Sequence, residues 1–410
     1  MYDVLKGVKV VELAEWLFGP SCSAILADWG ADVIKIERPP AGDPYRGMYH
    51  AGLVSPPMEL ANRGKRSLSL NVATDEGKEV LAKLIATADV FVTSMLPSSR
   101  KRLGVELNDI RVMNPNVIYV RATGQGARGP DSEVGGFDIS SAWARSGICD
   151  YLTAPDAVQP VQQPGGIGDL VAGLSAAGAV AAALYRRERT GQPSEVDVSL
   201  LHGAFWMFSF VLMNEANSNL DSDTDDDSAV GGLPARKRFD RHEGVNPLVN
   251  PYRTKDGRWI WLVVLQPDPY WQEFCTILED PELLEPKFAS FESRRTNFAE
   301  LVSVLDRIFV SSTCAEWVEK LNRFTGIWRV ANTPREALED PQVAANGYLA
   351  QTAGDGPNVV MVTSPAQFDG RDLGVVNRCP EYGQHTEEVL LELGYDWDGI
   401  TSLHDSNALQ

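Results

Sequence analysis

Residues 8–37 read VKVVELAEWLFGPSCSAILADWGADVIKIE. VKVVEL (8–13) and ADVIKIE (31–37) are short apolar, β-branched runs, and the stretch between them carries a helical pattern from about Gly19 to Trp29. A strand, helix, strand unit implies a parallel sheet, because parallel neighbours need a crossover connection, usually a helix. The pattern continues outward. SLSLN (67–71) leads into an apolar-periodic helix near Glu76–Ala88, ADVFVT (88–93) follows, and NVIYVRAT (116–123) is another buried-type strand. The expected fold class is therefore α/β, with a doubly wound, Rossmann-like large domain.

A composition break comes at NSNLDSDTDDDS (217–228), an acidic, apolar-poor run that buries too little surface to offset its ordering entropy. It is read as an exposed connector. Beyond it, YRTKDGRWIWLVV (252–264) sets Asp256-Gly257 between two strand-like runs, a hairpin signal. Helical patterns near 268–278, 295–309 and 314–323 complete a smaller α+β domain. The expected organisation is thus 1–216 as the large domain, 217–229 as the connector, 230–330 as the small domain and 331–410 as a segment returning to the large one. No tandem repeat of fixed period is visible.

The chain has 410 residues, 44% hydrophobic and 23% charged, the composition of a folded globular protein with room for two cores. Its net charge of -19 argues against an extended nucleic-acid or anionic-membrane surface, so an anionic ligand has to meet a local basic cluster. The basic residues of the first half, Arg38, Arg46, Arg63, Lys65, Arg66, Arg100, Lys101 and Arg102, are candidates for such a phosphate-binding patch, or are ordinary surface charge. Cysteines at 22, 149, 275, 314 and 379 are widely spaced and odd in number, which favours a reducing, cytoplasmic setting over a disulfide framework and indicates no metal site. The N-terminus lacks the basic-then-apolar layout of a signal peptide. The longest apolar stretch, Leu170–Tyr185, falls short of the roughly 20 residues of a bilayer span and suits a helix packed inside the protein.

Two motifs compete for the chemistry. Gly124, Gly126 and Gly129 spell G-x-G-x-x-G directly after a strand, the layout of a nicotinamide-dinucleotide site. Pro130 and DSEVGG (131–136) then delay any helix to about Asp138, so a turn-rich loop is the preferred reading. Gly168-Asp169 stands at the head of the long apolar helix. On spacing alone Asp169 is an N-cap. The same place suits a nucleophilic carboxylate, held ionised by the helix dipole with amides at hand for an oxyanion. The histidines at 50, 202, 242, 385 and 404 are lone, and no serine sits in a G-x-S-x-G elbow, which gives a hydrolase little support.

Taken in order, LKGVKVVEL (5–13), LADWGADVIKIERPPAGDPYRG (26–47), NRGKRSLSLN (62–71), LGVELNDIRVMNPNVIYV (103–120), GQGARGP (124–130), GGFDISSAWARSG (135–147), GIGDLVAG (166–173), RRERTGQ (186–192), NPYRTKDGRW (250–259), LEDPQVAANG (338–347) and GQHTEEVLLELG (383–394) resemble the class III CoA transferases. That family also holds formyl-CoA and carnitine-CoA transferases and α-methylacyl-CoA racemases. The resemblance implies an acyl-CoA donor and a carboxylic acid acceptor as partners, coenzyme A as substrate with no tightly bound cofactor, and an interlocked homodimer. It also implies that Asp169, in the G-D-x-x-x-G segment 168–173, is the nucleophile. Further, it implies that Arg38, Leu70, Ser94, Met95 and Arg102 line the CoA site, with Leu17 and Phe18 near the thioester. The sequence departs from the family pattern at Ser94-Met95, Asn71 and Pro193. The racemases carry a histidine where this chain has Phe137, within Gly136-Phe137-Asp138, and phenylalanine exchanges no proton. Trp16, Leu17, Phe18 and Met48 are expected around the acyl group, which suggests an apolar, medium-sized acyl chain.

Overall fold

The computed structural model describes residues 1–48, 55–217, 240–353 and 358–409. Six parallel strands form one sheet, β1 (Lys9–Leu13), β2 (Asp32–Glu37), β3 (Arg66–Ser69), β4 (Val90–Thr93), β5 (Ile118–Thr123) and β6 (Glu195–Ser199), in the order β3-β2-β1-β4-β5-β6. This is the doubly wound order, with its topological switch between β1 and β4. The helices of this part are α1 (Phe18–Asp28), α2 (Pro56–Asn62), α3 (Asp75–Thr87), α4 (Pro97–Leu103), α5 (Leu107–Met113), α6 (Ile148–Leu152), α7 (Ile167–Thr190) and α8 (Leu200–Met207).

Contacts divide the chain into two units, Met1–Phe208 with Pro341–Gln410, and Ser209–Asp340. The second unit holds α9 (Ser209–Ala216), the antiparallel hairpin β7 (Val249–Arg253) and β8 (Trp259–Val263), α10 (Asp268–Leu278), α11 (Phe291–Thr296), α12 (Phe298–Phe309), α13 (Cys314–Leu321), β9 (Trp328–Val330) and α14 (Pro334–Leu338). Gly257 turns the hairpin at φ 79°, a conformation glycine adopts without strain. The return segment carries α15 (Pro341–Ala345), β10 (Leu349–Thr352), β11 (Val360–Val362), β12 (Val375–Val376), α16 (Thr386–Glu392) and α17 (Trp397–Asp405). Apart from Asn217, the acidic connector expected at 217–229 lies outside the described residues, as does His50.

Alternation along β1 and β2 sends Val11, Leu13, Ile34 and Ile36 to one face, under α3, α5, α16 and α17. Val10 and Val33 point to the other face, where α1 and α7 and the return residues Ala350, Met361 and Val376 cover them. Both faces are thus buried, which is why the parallel strands read as near-continuous apolar runs.

The apolar stretch expected to end at Tyr185 belongs to a longer helix: α7 runs 24 residues, long and apolar enough by length and composition to cross a bilayer. In the fold its Ala172, Ala176, Ala177, Val180 and Ala183 are buried, the last four within the core beside α1. Close packing there depends on Gly173. A Cβ at that position would overlap Ser21 Oγ and come within 3.2 Å of the Cys22 backbone nitrogen. Gly173→Ala is therefore expected to push α1 from α7 and destabilise the protein by about 1–3 kcal/mol in a denaturant melt, the usual cost of overpacking.

Candidate active site

A cavity of about 1020 Å³ opens at the carboxyl edge of the six-stranded sheet. Each strand end contributes to it: Leu13–Trp16 at the end of β1, Arg38 and Pro39 after β2, Leu70–Ala73 after β3, Ser94–Pro97 after β4, Ala122–Gln125 at the end of β5 and Leu200 after β6. Ligands of open α/β sheets bind at this edge and at the switch point, here between β1 and β4. The wall is completed by Phe18 of α1, Arg102 of α4, the loop residues Val134–Phe137 and Asp169 of α7.

Of the residues expected here, Phe18, Arg38, Leu70, Ser94, Met95, Arg102 and Asp169 line this one cavity, although they lie up to 151 positions apart (18 to 169). Leu17 and Met48 are not in the lining. The Leu17 side chain is buried with Tyr45, Met58 and Ala61, and Met48 is exposed. The Ser94 hydroxyl accepts from the Glu15 N–H at 3.1 Å, tying the loop after β1 to the end of β4.

The broad basic patch does not assemble. Arg46 is paired with Glu37 at 2.7 Å, Arg63 with Asp28 at 2.7 Å, Lys65 with Glu12 at 2.6 Å, Arg66 with Asp32 at 2.6 Å and Arg100 with Glu106 at 3.2 Å. Cations drawn this far into a fold need counter-charges, and each finds its own carboxylate before any ligand arrives. Among the described residues, the cationic side chains that line the cavity are Arg38 and Arg102, both exposed.

Asp169 is not the N-cap that its spacing suggests. Gly166, with φ 84°, takes the cap position, so α7 begins at Ile167 and Asp169 is its third residue. The cap comes from elsewhere in the chain. Asp138 Oδ1 accepts the Gly168 N–H at 3.0 Å, and a Cβ on Gly168 would overlap that carboxylate, which is the local reason for glycine beside Asp169. Asp138 thus takes up first-turn amides that the sequence reading assigned to an oxyanion on Asp169.

The electrostatics also differ from a simple dipole argument. Burial first, and the nearby Asp138 charge second, push the Asp169 carboxyl up to about 7. Burial likewise raises Asp138, against the hydrogen bonds that stabilise its charge. A helix N-terminus stabilises an anion by only about 0.3–1 kcal/mol at an exposed site, and here desolvation wins. The arrangement is a half-buried carboxyl in a cleft, ionised to a substantial fraction near neutrality and weakly solvated, as a carboxylate nucleophile requires.

The loop carrying Gly124, Gly126 and Gly129 is turn-rich, as preferred from the sequence, and the next helical segment, a π-helical turn, starts only at Asp138. No helix N-terminus therefore faces a pyrophosphate in the way a dinucleotide fingerprint demands. Two contributors were missed from sequence. Asp138 was noted as a neighbour of Phe137 and as the expected start of a helix, with no role at the site, and Phe137 itself lines the cavity, edge-on to Trp16 with ring centroids 5.3 Å apart.

Sheet order, cleft and carboxyl together define an α/β protein of the doubly wound type with a carboxyl-bearing cleft at its switch point. The chain matches CoA-transferase family III over residues 5–386 and belongs to that family; it is a CoA-transferase of this class. It is 31% identical to (R)-2-hydroxy-4-methylpentanoate CoA-transferase of Clostridioides difficile, over 99% of this chain and 100% of that protein. To human succinyl-CoA:glutarate CoA-transferase it is 30% identical, over 97% of this chain and 88% of the other. Among solved structures, a CAIB/BAIF family protein from Brucella suis superposes with a TM-score of 0.78 at 27% identity, covering 95% of this chain and 99% of its own length.

Proposed function

We propose that this enzyme moves CoA from an acyl-CoA donor to a carboxylic acid acceptor with Asp169 as covalent carrier. One observation carries the reading: Asp169 is a carboxyl in the same cleft as two cations and the open ends of the strands. In the first step an Asp169 oxygen attacks the donor thioester carbonyl, expels CoA thiolate and forms a mixed anhydride. The thiolate attacks the aspartyl carbonyl, releasing the donor acid as carboxylate and leaving an aspartyl-CoA thioester. The acceptor carboxylate then attacks this thioester, freeing the thiolate again, and the thiolate takes the new acyl group and restores Asp169. No proton is gained or lost over the cycle. Each exchange becomes two easier ones.

Arg38 and Arg102 are proposed to hold the anionic nucleotide end of CoA, with Leu70, Ser94 and Met95 along its path and Phe18 near the thioester. Binding energy from that remote end keeps the thiolate in place between steps. The acyl group is proposed to be apolar and of medium size, since Trp16, Phe18, Val134 and Phe137 line the cavity. The C. difficile relative named for a branched hydroxy acid supports this choice. A second copy of the chain is proposed as partner in an interlocked dimer. Leu170, Leu174 and Tyr185 of α7 and Phe205, Trp206 and Met207 of α8 are exposed apolar side chains, more than a lone monomer normally leaves to water. Sedimentation equilibrium is expected to give twice the chain mass of 44.9 kDa.

The test is a matrix of acyl-CoA donors and carboxylic acids, read by chromatography of the CoA products. New acyl-CoA that forms only when an acceptor acid is present supports transfer. Deuterium entering the α-carbon of a 2-methylacyl-CoA with no acceptor present means racemisation, and sinks the proposal. Asp138→Asn sharpens it, because asparagine keeps the oxygen that accepts the Gly168 N–H but removes the charge beside Asp169. With that repulsion gone Asp169 ionises at lower pH. The acid limb of the kcat/KM profile is therefore expected to move to lower pH, with activity at pH 6 rising relative to pH 8.

A further inference from the structure

Trp16 stands in the left-handed region with φ 68°, where a bulky side chain is rarely found. Strain of this kind persists only where surrounding contacts enforce it, and such places cluster at functional sites. The enforcement is visible. The Trp16 N–H donates to Asp43 Oδ1 at 3.1 Å, and the preceding Glu15 N–H donates to Ser94 Oγ at 3.1 Å. Asp43 is itself buried and fixed from several sides. Its Oδ2 lies 2.8 Å from Lys35 Nζ, its Oδ1 also accepts the Tyr45 N–H at 2.9 Å, and its own N–H donates to Glu37 at 3.0 Å. Lys35 in turn donates to the Ala14 carbonyl at 2.8 Å, so one buried ammonium holds both the loop after β1 and the aspartate that clamps it.

The outcome is a fixed aromatic group. The Trp16 indole lies 6.4 Å from the Tyr45 ring and 5.3 Å, edge-on, from Phe137, and Trp16 and Phe137 both line the cavity that contains Asp169. Glycine would take φ 68° without strain. A tryptophan there means that the side chain, rather than the turn, is what the position supplies.

We propose that Asp43, anchored by Lys35, is a positioning residue that locks Trp16 in place, and that the Trp16–Phe137 pair is the wall that selects bulky apolar acyl groups over acetyl. This rests on the acyl-CoA reading above. Calorimetric titration of the full-length protein with phenylacetyl-CoA, acetyl-CoA and CoA tests it. Wild type is expected to bind phenylacetyl-CoA about tenfold tighter than acetyl-CoA, the scale of one aromatic contact. Trp16→Gly, which removes indole and strain together, and Asp43→Ala, which removes the clamp, are expected to bring that ratio close to one and leave CoA affinity unchanged. Asp43→Asn retains the acceptor for the Trp16 N–H, and is expected to keep the selectivity even as loss of the charge facing Lys35 lowers Tm. If Asp43→Ala fails to fold, Trp16→Gly decides. An unchanged ratio in Trp16→Gly overturns the proposal, as does equal loss of selectivity in the two Asp43 variants in step with Tm. Wild type that binds neither thioester sinks both readings. Selective binding without acceptor-dependent transfer sinks only the proposed function.

Discussion

Asp169→Asn is expected to lower kcat for CoA transfer by at least about 10³-fold, because an amide cannot form the anhydride and no neighbouring group replaces a missing nucleophile. The side chain changes by one atom, so the cleft and its CoA contacts remain, and the variant is expected to bind acyl-CoA like wild type. Its stability behaves in a way that separates this from misfolding. A carboxyl whose folded pKa, about 7, lies above its unfolded value holds its proton more tightly in the fold. The stabilisation this gives is fully present below the unfolded pKa and is lost as pH rises through about 7. Asparagine carries no charge to bury, so at pH 8 the variant is expected to melt no lower than wild type. A thermal melt beside the kinetic assay checks both points.

Glu12→Ala is expected to cost about 3–5 kcal/mol, the range for breaking a buried ion pair from one side. Glu12 is fully buried on β1 and meets Lys35, its register neighbour on β2, at 2.8 Å and Lys65 at 2.6 Å. Burial opposes each charge. For Glu12 the two ammonium groups outweigh it and lower the carboxyl's pKa, and for Lys35 the carboxylates of Glu12, Asp43 and Glu37 outweigh it and raise the ammonium's. Alanine leaves two ammonium groups in a dry site with one carboxylate fewer. Domains are stable by only about 5–15 kcal/mol, so a large fall in Tm or loss of soluble protein is the expected result. A cost within about 1 kcal/mol, the value of a surface pair, would mean that water reaches this cluster.

Strands β1, β2, β4 and β5 were legible as largely apolar, β-branched runs and β3 by the alternation in SLSLN, and their helices showed the 3.6-residue period. The edge strand β6, with the sequence EVDVS, was not identified. It is only partly buried, and its alternating polar residues leave too short a run to stand out beside the long helix before it. At the site, Asp169 was legible as a helix-start acid, but its exact place was not. The helix begins at Ile167 because Gly166 adopts a left-handed turn, and a cap supplied by Asp138 from 30 residues upstream leaves no local spacing to read. The basic residues show the same limit. Arg63 lies 35 positions from Asp28 and Arg66 lies 322 from Glu388, so the sequence could not show which cations the fold had already neutralised. Charge alone named Arg38 and Arg102 together with six other basic residues, and only the resemblance to the family singled these two out.

The proposed cycle requires a covalent bond to one side chain, and mass spectrometry of the Asp169 peptide detects it. The enzyme is incubated with an acyl-CoA, quenched with hydroxylamine and digested. Asp169 is expected to be converted to its hydroxamate only when acyl-CoA was present, and not in Asp169→Asn. Transfer activity with an unmodified Asp169 peptide, or with the label on another residue, would contradict it.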